Sequence, residues 1–298
     1  MTPASYDAHP HPHPHAHAHA HAPNGHGDHG DHDDQSEILD LDAEVLAEHI
    51  ASITAWLPVK ADPRRIVDLG CGTGAGTLAL LKRFPQAEVT AVDTSTSHLN
   101  RLRHKAEAAG LADRVRTVQA DLDGDWPNLG TPELVWASAS MHHMADPDRT
   151  LRQVHDTLAP DGLFAVVELA SFPRFLPEGA PADRPGLEER CHAAIDHHHS
   201  EHLPHRGADW GPKLAAAGFT VEGERTITVN LGPPHTEAVG RYALSSLTRM
   251  RGGIAEDLAP EDLAALDRLL DTESPHSIAR RDDLTVRTER TVWAARRS

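Results

Sequence analysis

The segment Asp68-Leu69-Gly70-Cys71-Gly72-Thr73-Gly74 joins an apolar run to a helical pattern through a turn in which every second residue is glycine. Glycine permits positive φ and lets a ligand approach the main chain closely. The N–H groups at the start of the following helix suit a carboxylate or a phosphate. Asp93, followed by Thr94, closes the next apolar run about 20 residues on, where a carboxylate can accept both hydroxyls of a ribose. Asp121-Leu122 follows the third run, where an acid can accept from an adenine amino group. Gly70-x-Gly72-x-x-Ala75 also satisfies the looser dinucleotide fingerprint, so the turn taken alone leaves a nicotinamide cofactor open. Asp68 separates the two readings, because it would repel a pyrophosphate and attract a ligand carrying an ammonium group.

A second group of residues could act on a substrate. His142 and His143 follow the fourth apolar run, and His142 is the candidate base or acceptor-orienting group; the alternative is that the pair only packs its loop. Glu168 ends the fifth run at the edge where open α/β sheets bind ligands, with substrate or metal contact set against a loop-ordering role. Cys71 precedes a helix start that could lower its pKa, but a small filler beside glycines has the same residue type. His192, His197, His198, His199, Glu201, His202 and His205 cluster further on, and His198 and His202 at i,i+4 form a usable metal pair unless they only solvate a polar helix. Phe172, Trp210 and Phe219 read as core or cap packing rather than an aromatic platform.

The elements that must position these residues follow from periodicity. Residues 65–69, 88–92, 115–119, 134–137 and 163–169 read as strands; residues 77–84, 97–109 and 148–158 read as helices between them. Such alternation means βαβ units, a parallel sheet and helices on both faces. Ser36 is the expected N-cap of a helix running from Ile38 to Leu57, stopped by Pro58. After Leu169 the alternation breaks. Phe219–Leu231 and Leu284–Ala294 read as two closing strands forming an antiparallel edge pair, while segments 171–206 and 235–276 are candidates for a partly helical cap over the site.

Composition restricts the function classes. The 298 residues carry 28 Lys and Arg against 45 Asp and Glu, a net charge of −17. Residues 1–48 hold ten of those acids and no base, so the remainder is only mildly acidic. That balance, without basic patches interleaved with aromatics, argues against nucleic acid or an anionic membrane as partner. Two cysteines exclude a disulfide framework, and no apolar run approaches the roughly 18 residues of a bilayer span. The first residues show neither a basic region nor an apolar stretch, so a secretory signal is not expected and a cytoplasmic location is. Ten of the 24 histidines lie between His9 and His32, so residues 1–35 read as a disordered tail with incidental affinity for Zn, Ni or Cu ions.

Taken together, Asp68-x-Gly70-x-Gly72-x-Gly74, Asp93, Asp121, the segment Ser138-Ala139-Ser140-Met141-His142-His143-Met144-Ala145-Asp146-Pro147 and Leu158-Ala159-Pro160-Asp161-Gly162 resemble a class I S-adenosylmethionine-dependent methyltransferase over about residues 37–170. The resemblance implies a Rossmann-like seven-stranded sheet, mostly parallel, with its last strand antiparallel, spanning residues 36–298. It implies that Gly70, Gly72 and Gly74 pack against S-adenosylmethionine, that Asp93 holds its ribose, that Asp121 and Leu122 flank adenine and that Asp68 lies near the methionine moiety. Cys71, Thr94 and Ser138 fall at the same cofactor positions. The implied reaction is in-line attack of a small-molecule acceptor on the sulfonium methyl, leaving S-adenosylhomocysteine, with the protein contributing positioning and exclusion of water. A hydroxyl or phenol acceptor would need a base, an amine only its neutral form. Two other classes stay in play: an NAD-dependent oxidoreductase using the same turn, and a metal-handling protein acting through its tail.

Overall fold

The computed structural model describes residues 28–203 and 205–297, and within these the side chains of all but residues 28–34 and 198–202. The histidine tract of the expected tail and the His198/His202 pair therefore lie outside what is described. Five strands, β1 (Arg65–Leu69), β2 (Glu88–Asp93), β3 (Val115–Gln119), β4 (Leu134–Ser138) and β5 (Leu163–Leu169), run parallel, and two longer ones, β6 (Phe219–Leu231) and β7 (Val286–Arg297), complete the sheet. Their order is β3-β2-β1-β4-β5-β7-β6, and β7 is antiparallel to both of its neighbours. The expected edge pair of closing strands is present, with the last strand in chain order inserted beside β5. β4 and β5 are continuous apolar runs because a central parallel strand is covered on both faces.

The order reverses at β1, with β2 on one side and β4 on the other, so the chain splays apart at the carboxyl end of β1. Such a switch point leaves a crevice for ligands. The glycine turn after β1 opens directly onto it.

Before β1, two helices replace the single one expected: α1 (Asp28–Val45) and α2 (Ala47–Trp56). The separation lies at Leu46, whose backbone (φ −102°, ψ 17°) leaves helical geometry although Ile50 N–H still donates to its carbonyl. Ser36 is not a cap; it is a buried position inside α1. The crossover helices are α3 (Ala75–Arg83), α4 (Thr96–Ala108) and α5 (Pro147–Thr157). Ser95 caps α4 by accepting from His98 N–H, and Asp146 caps α5, which has Pro147 in its first turn. Beyond β5 come α6 (Leu187–His202), α7 (Trp210–Ala216), α8 (Glu237–Ile254) and α9 (Pro260–Leu270).

Alternate side chains of the strands divide between two cores. Ile66, Trp136 and Ala165 join α2, α3, α6, α8 and α9 on one face; Val67, Val135 and Phe164 join α5 and α7 on the other. Trp210 and Phe219 belong to the second core, as packing residues. Each fully buried aromatic or aliphatic side chain contributes about 1.5–3 kcal/mol. α1 is tied into this frame across the cavity. Asp42 accepts from Tyr242 Oη on α8 at 2.7 Å and from Arg290 Nη2 on β7 at 2.5 and 2.7 Å. Asp40 of α1 is paired with Arg101 and Lys105 of α4.

Candidate functional site

The turn after β1 is built against the end of β2. Cys71 N–H donates to the Val92 carbonyl at 2.9 Å, and Gly72 N–H donates to Asp93 Oδ2 at 2.8 Å. Gly70 has φ +66°, and a side chain there would bring its Cβ within 2.4 Å of Ser140 Cβ. Gly74, at φ +93°, would collide in the same way with Leu102 Cδ1 at 2.3 Å. These two glycines are therefore required by contact with protein, and Gly74 is not among the cavity-lining residues. Gly72 does line the cavity and faces Leu39 of α1, which covers the turn from above.

Asp93 lies where the sequence placed it. Its Oδ1 accepts from Ser95 N–H at 2.9 Å, and His98 Nδ1 stands 3.4 Å away, too poorly aligned for a hydrogen bond. Burial alone would raise its pKa, but the contact with His98 and the Ser95 and Gly72 N–H groups hold it below the usual carboxylate range. Asp93 is thus a fixed anion, and a carboxylate has about four acceptor sites, enough to receive hydroxyl donors in addition. Asp68 is different. It is buried and accepts from Thr77 Oγ1 at 2.6 Å; burial, reinforced by the charge of Asp93, raises its pKa to about 7. Beside it on β4, Trp136 is buried with an indole N–H that has no partner. A Cβ on Gly76 would lie 2.5 Å from that nitrogen and 3.2 Å from Asp68 Oδ2, so this glycine leaves the space in which both groups sit. Cys71 is a buried filler whose thiol pKa is pushed up by burial, which removes it as a nucleophile.

Thr94, Asp121, Leu122 and Ser138 all reach the same cavity, whose volume is about 1330 Å³. Asp121 caps its own turn by accepting from Asp123 N–H at 2.9 Å, while Leu122 is 5% exposed. A pocket for one drug-sized ligand has a volume of roughly 300–1,000 Å³, so this larger space can hold a cofactor together with an acceptor.

At the far side of Ser138 the chain makes a sharp turn. Ala139 adopts φ +52°, a left-handed conformation that costs a residue with a side chain of order 1 kcal/mol or more, and its N–H donates to the Val167 carbonyl at 2.8 Å. Ser140 Oγ then donates to the Leu69 carbonyl at 2.8 Å. These contacts set a short 3-10 turn, Met141–His143, against Glu168. Glu168 Oε1 accepts from the N–H groups of Met141 (2.8 Å) and His142 (3.3 Å), and its Oε2 lies 2.5 Å from His142 Nδ1. A carboxylate oxygen accepts, so the contact uses Nδ1 of His142 as the donor and leaves Nε2 as the ring nitrogen not engaged by Glu168. Glu168 is 3% exposed and absent from the cavity wall, whereas His142 and His143 line it, their rings 4.1 Å apart. The substrate-contact option for Glu168 thus gives way to the loop-ordering one: it holds His142. Among the described residues no three His, Cys, Asp or Glu side chains converge as a metal site, and Cys191 is buried with its thiol raised to about 11, chiefly by burial.

Sequence reasoning missed the cavity's other walls. Gln35, Ile38, Leu39 and Asp42 of α1, Tyr242 and Met250 of α8, and Arg206 and Arg290 all line it. Arg206, Tyr242 and Met250 fall in the segments 171–206 and 235–276 read as a candidate cap, though not as named residues, whereas the apolar periodicity of α1 read as ordinary core.

This arrangement agrees with what the chain resembles. A family profile described as a methyltransferase domain matches residues 66–162, from β1 to the start of β5. A malonyl-[acyl-carrier protein] O-methyltransferase of Halorhodospira halophila is 32% identical over 229 residues, covering 74% of this chain and 69% of that protein. A trans-aconitate 2-methyltransferase of an Acidovorax species is 38% identical over 104 residues, which is 35% of this chain and 38% of the relative. Among solved structures, a Bacillus halodurans protein described as a methyltransferase has the same fold, with a TM-score of 0.53 at 16% identity over 83% of this chain and 98% of its own. The chain belongs to the class I S-adenosylmethionine-dependent methyltransferases, a family of methyl-transferring enzymes. The oxidoreductase reading of the glycine turn falls with that membership. No helix among the described residues is long and apolar enough to cross a membrane.

Proposed function

We propose that this cavity binds S-adenosylmethionine at its β1–β2 side and directs methyl transfer to a small-molecule acceptor held between the Met141–His143 turn and the helices beyond β5. The observation that carries the reading is that one continuous cavity joins the Asp93–Gly72 pair to the His142–Glu168 pair. The donor set fits the cofactor: Asp93 offers acceptors to ribose hydroxyls, Asp121 and Leu122 offer an acceptor and an apolar face to adenine, and Cys71, Gly72, Thr94 and Ser138 complete that wall. Asp68, with the unpartnered Trp136 N–H beside it, suits the zwitterionic methionine end; a nearby ammonium would draw the Asp68 carboxyl towards its ionised form. When bound, the cofactor supplies a methyl group already attached to an excellent leaving group. The protein's own work is then orientation and exclusion of water, and His142 Nε2, fixed by Glu168, can take the proton of a hydroxyl or phenol acceptor.

The domain reading goes with this. Residues 36–298 act as one methyltransferase unit in which segments 171–206 and 235–276 close over the acceptor, and the histidine-rich residues 1–35 are accessory. Methyl transfer is tested by following tritium from labelled S-adenosylmethionine into the acceptors of a small-molecule library. Asp93→Ala is expected to lower transfer at least tenfold at subsaturating cofactor, the loss of one or two charge-assisted hydrogen bonds. Unchanged cofactor affinity in that variant would overturn the ribose assignment.

A further inference from the structure

The wall of the cavity shared by α1, α8 and β7 contains a buried ion pair to which the cofactor site assigns no contact. Arg290 lies opposite Leu169 in the β5–β7 register, and Leu169 follows Glu168, which holds His142. Arg290, Asp42, Tyr242 and Leu169 all line the cavity. The Arg290 side chain is 8% exposed and that of Asp42 is 19% exposed. Arg290 meets Asp42 through a single nitrogen: Nη2 donates to both carboxylate oxygens, in place of the fork that would also use Nε. Nε is left buried without a partner. Tyr242 does not supply one, because its Oη is directed at Asp42 as a donor. Burial and the Asp42 charge keep that phenol protonated by raising its pKa well above the ordinary value. A buried donor on a cation is costly while nothing accepts from it, and here the protein offers no acceptor. An oxygen of the ligand is the group that would satisfy it.

The charge of the wall says which kind of oxygen. Arg290 and Asp42 neutralise each other within the pair. A second anion would stand against Asp42 and an ammonium against Arg290, both away from water. A neutral carbonyl or hydroxyl oxygen meets neither penalty. Leu169 and Ile38, the latter one helical turn before Asp42, add apolar surface to the same wall.

We infer that Arg290 is a specificity-determining residue for the methyl acceptor: its Nε donates to a neutral carbonyl or hydroxyl oxygen on an apolar body, an oxygen other than the atom that is methylated. This rests on the methyl-transfer reading. Asp42 and Tyr242 are positioning residues that fix the guanidinium before the acceptor arrives.

The test saturates the full chain with S-adenosylhomocysteine, so that only the acceptor space is open, and then measures binding of matched sets by calorimetry. Each set keeps one alicyclic or aromatic body and presents it as ketone, alcohol, parent hydrocarbon, carboxylate and amine; tetralone, tetralol and tetralin with its carboxylate and amine make one such set. In at least one set the ketone or the alcohol should bind at least tenfold more tightly than the hydrocarbon and than either charged analogue, as a hydrogen bond from a charged donor provides. Arg290→Lys keeps a cation for Asp42 but has no Nε–H, and there the preference over the hydrocarbon should fall to about twofold or less. Equal binding of ketone, alcohol and hydrocarbon by the wild type, which needs no variant to fold, overturns the assignment, since water would then serve Nε as well as a ligand does. Tighter binding of the carboxylate or the amine overturns it too, as does an oxygen preference that survives in Arg290→Lys. Failure of S-adenosylhomocysteine to bind would count against the methyl-transfer reading itself, whereas its binding without any oxygen preference would sink only the role given to Arg290.

Discussion

At the scale of residues the site is a set of carboxylates with different duties fixed by their surroundings. Asp93 is held below the usual carboxylate range by the nearby His98 ring and by two N–H donors, while Asp68, 2% exposed, is driven to about 7 by burial. Glu168 is bonded to His142 and lies off the cavity wall, which we read as a positioning role. If so, Glu168→Gln should lower kcat for a hydroxyl acceptor about 10- to 100-fold, within the range of positioned acid–base groups, while S-adenosylhomocysteine affinity stays unchanged. In a His142→Ala background the same substitution should cost almost nothing more, because two residues that act as one unit are not additive. Equal losses in both backgrounds, from steady-state kinetics on the four variants, would separate the pair. These residues were legible in sequence because their chemistry is local: Asp68, the glycines and Asp93 lie at the ends of β1 and β2, and His142 follows β4.

At the scale of elements, what the sequence concealed is the part of the cavity wall made by α1. Asp42 and Arg290 are 248 residues apart, and no spacing rule connects an acid on an N-terminal helix with a base on the last strand. The periodicity of residues 38–57 identified a helix but not that its first part lies across the glycine turn, with Leu39 over Gly72. Arg206 lies in the segment 171–206 read as a candidate cap, but nothing in that Pro- and His-rich stretch marked it as a lining residue. Asp42 is the element-scale test. Its loss leaves Arg290, 7% exposed, as a buried cation without its carboxylate. Removing one partner of a buried pair costs about 3–5 kcal/mol; with Asp42 itself 19% exposed, Asp42→Ala should cost about 3 kcal/mol in urea unfolding. A change below about 1 kcal/mol would show that α1 is not held by this contact.

Across the whole molecule, buried ionisable groups pull stability in opposite directions with pH. His192 is wholly buried, neither ring nitrogen is hydrogen-bonded, and burial depresses its pKa to about 3. The unfolded chain therefore takes up a proton below about 6.5 that the folded chain refuses, and the His192 contribution is lost as pH falls. Asp68 and Glu188, both raised to about 7 chiefly by burial, act in the reverse sense: the folded chain holds protons there that the unfolded chain has released, so their contribution is lost as pH rises towards 7. Comparing His192→Leu with the wild type isolates the histidine. The variant's unfolding free energy, relative to wild type, should grow by about 2 kcal/mol between pH 7 and pH 5. A difference that does not vary with pH would mean that His192 titrates alike in the folded and the unfolded chain. The central claim, that the cavity at the β1 switch point is an S-adenosylmethionine site, is met most directly by titration calorimetry with S-adenosylhomocysteine and NAD side by side. The account predicts saturable one-to-one binding of S-adenosylhomocysteine, weakened at least tenfold by Asp93→Ala, and no binding of NAD. Tight NAD binding with none of S-adenosylhomocysteine would contradict it.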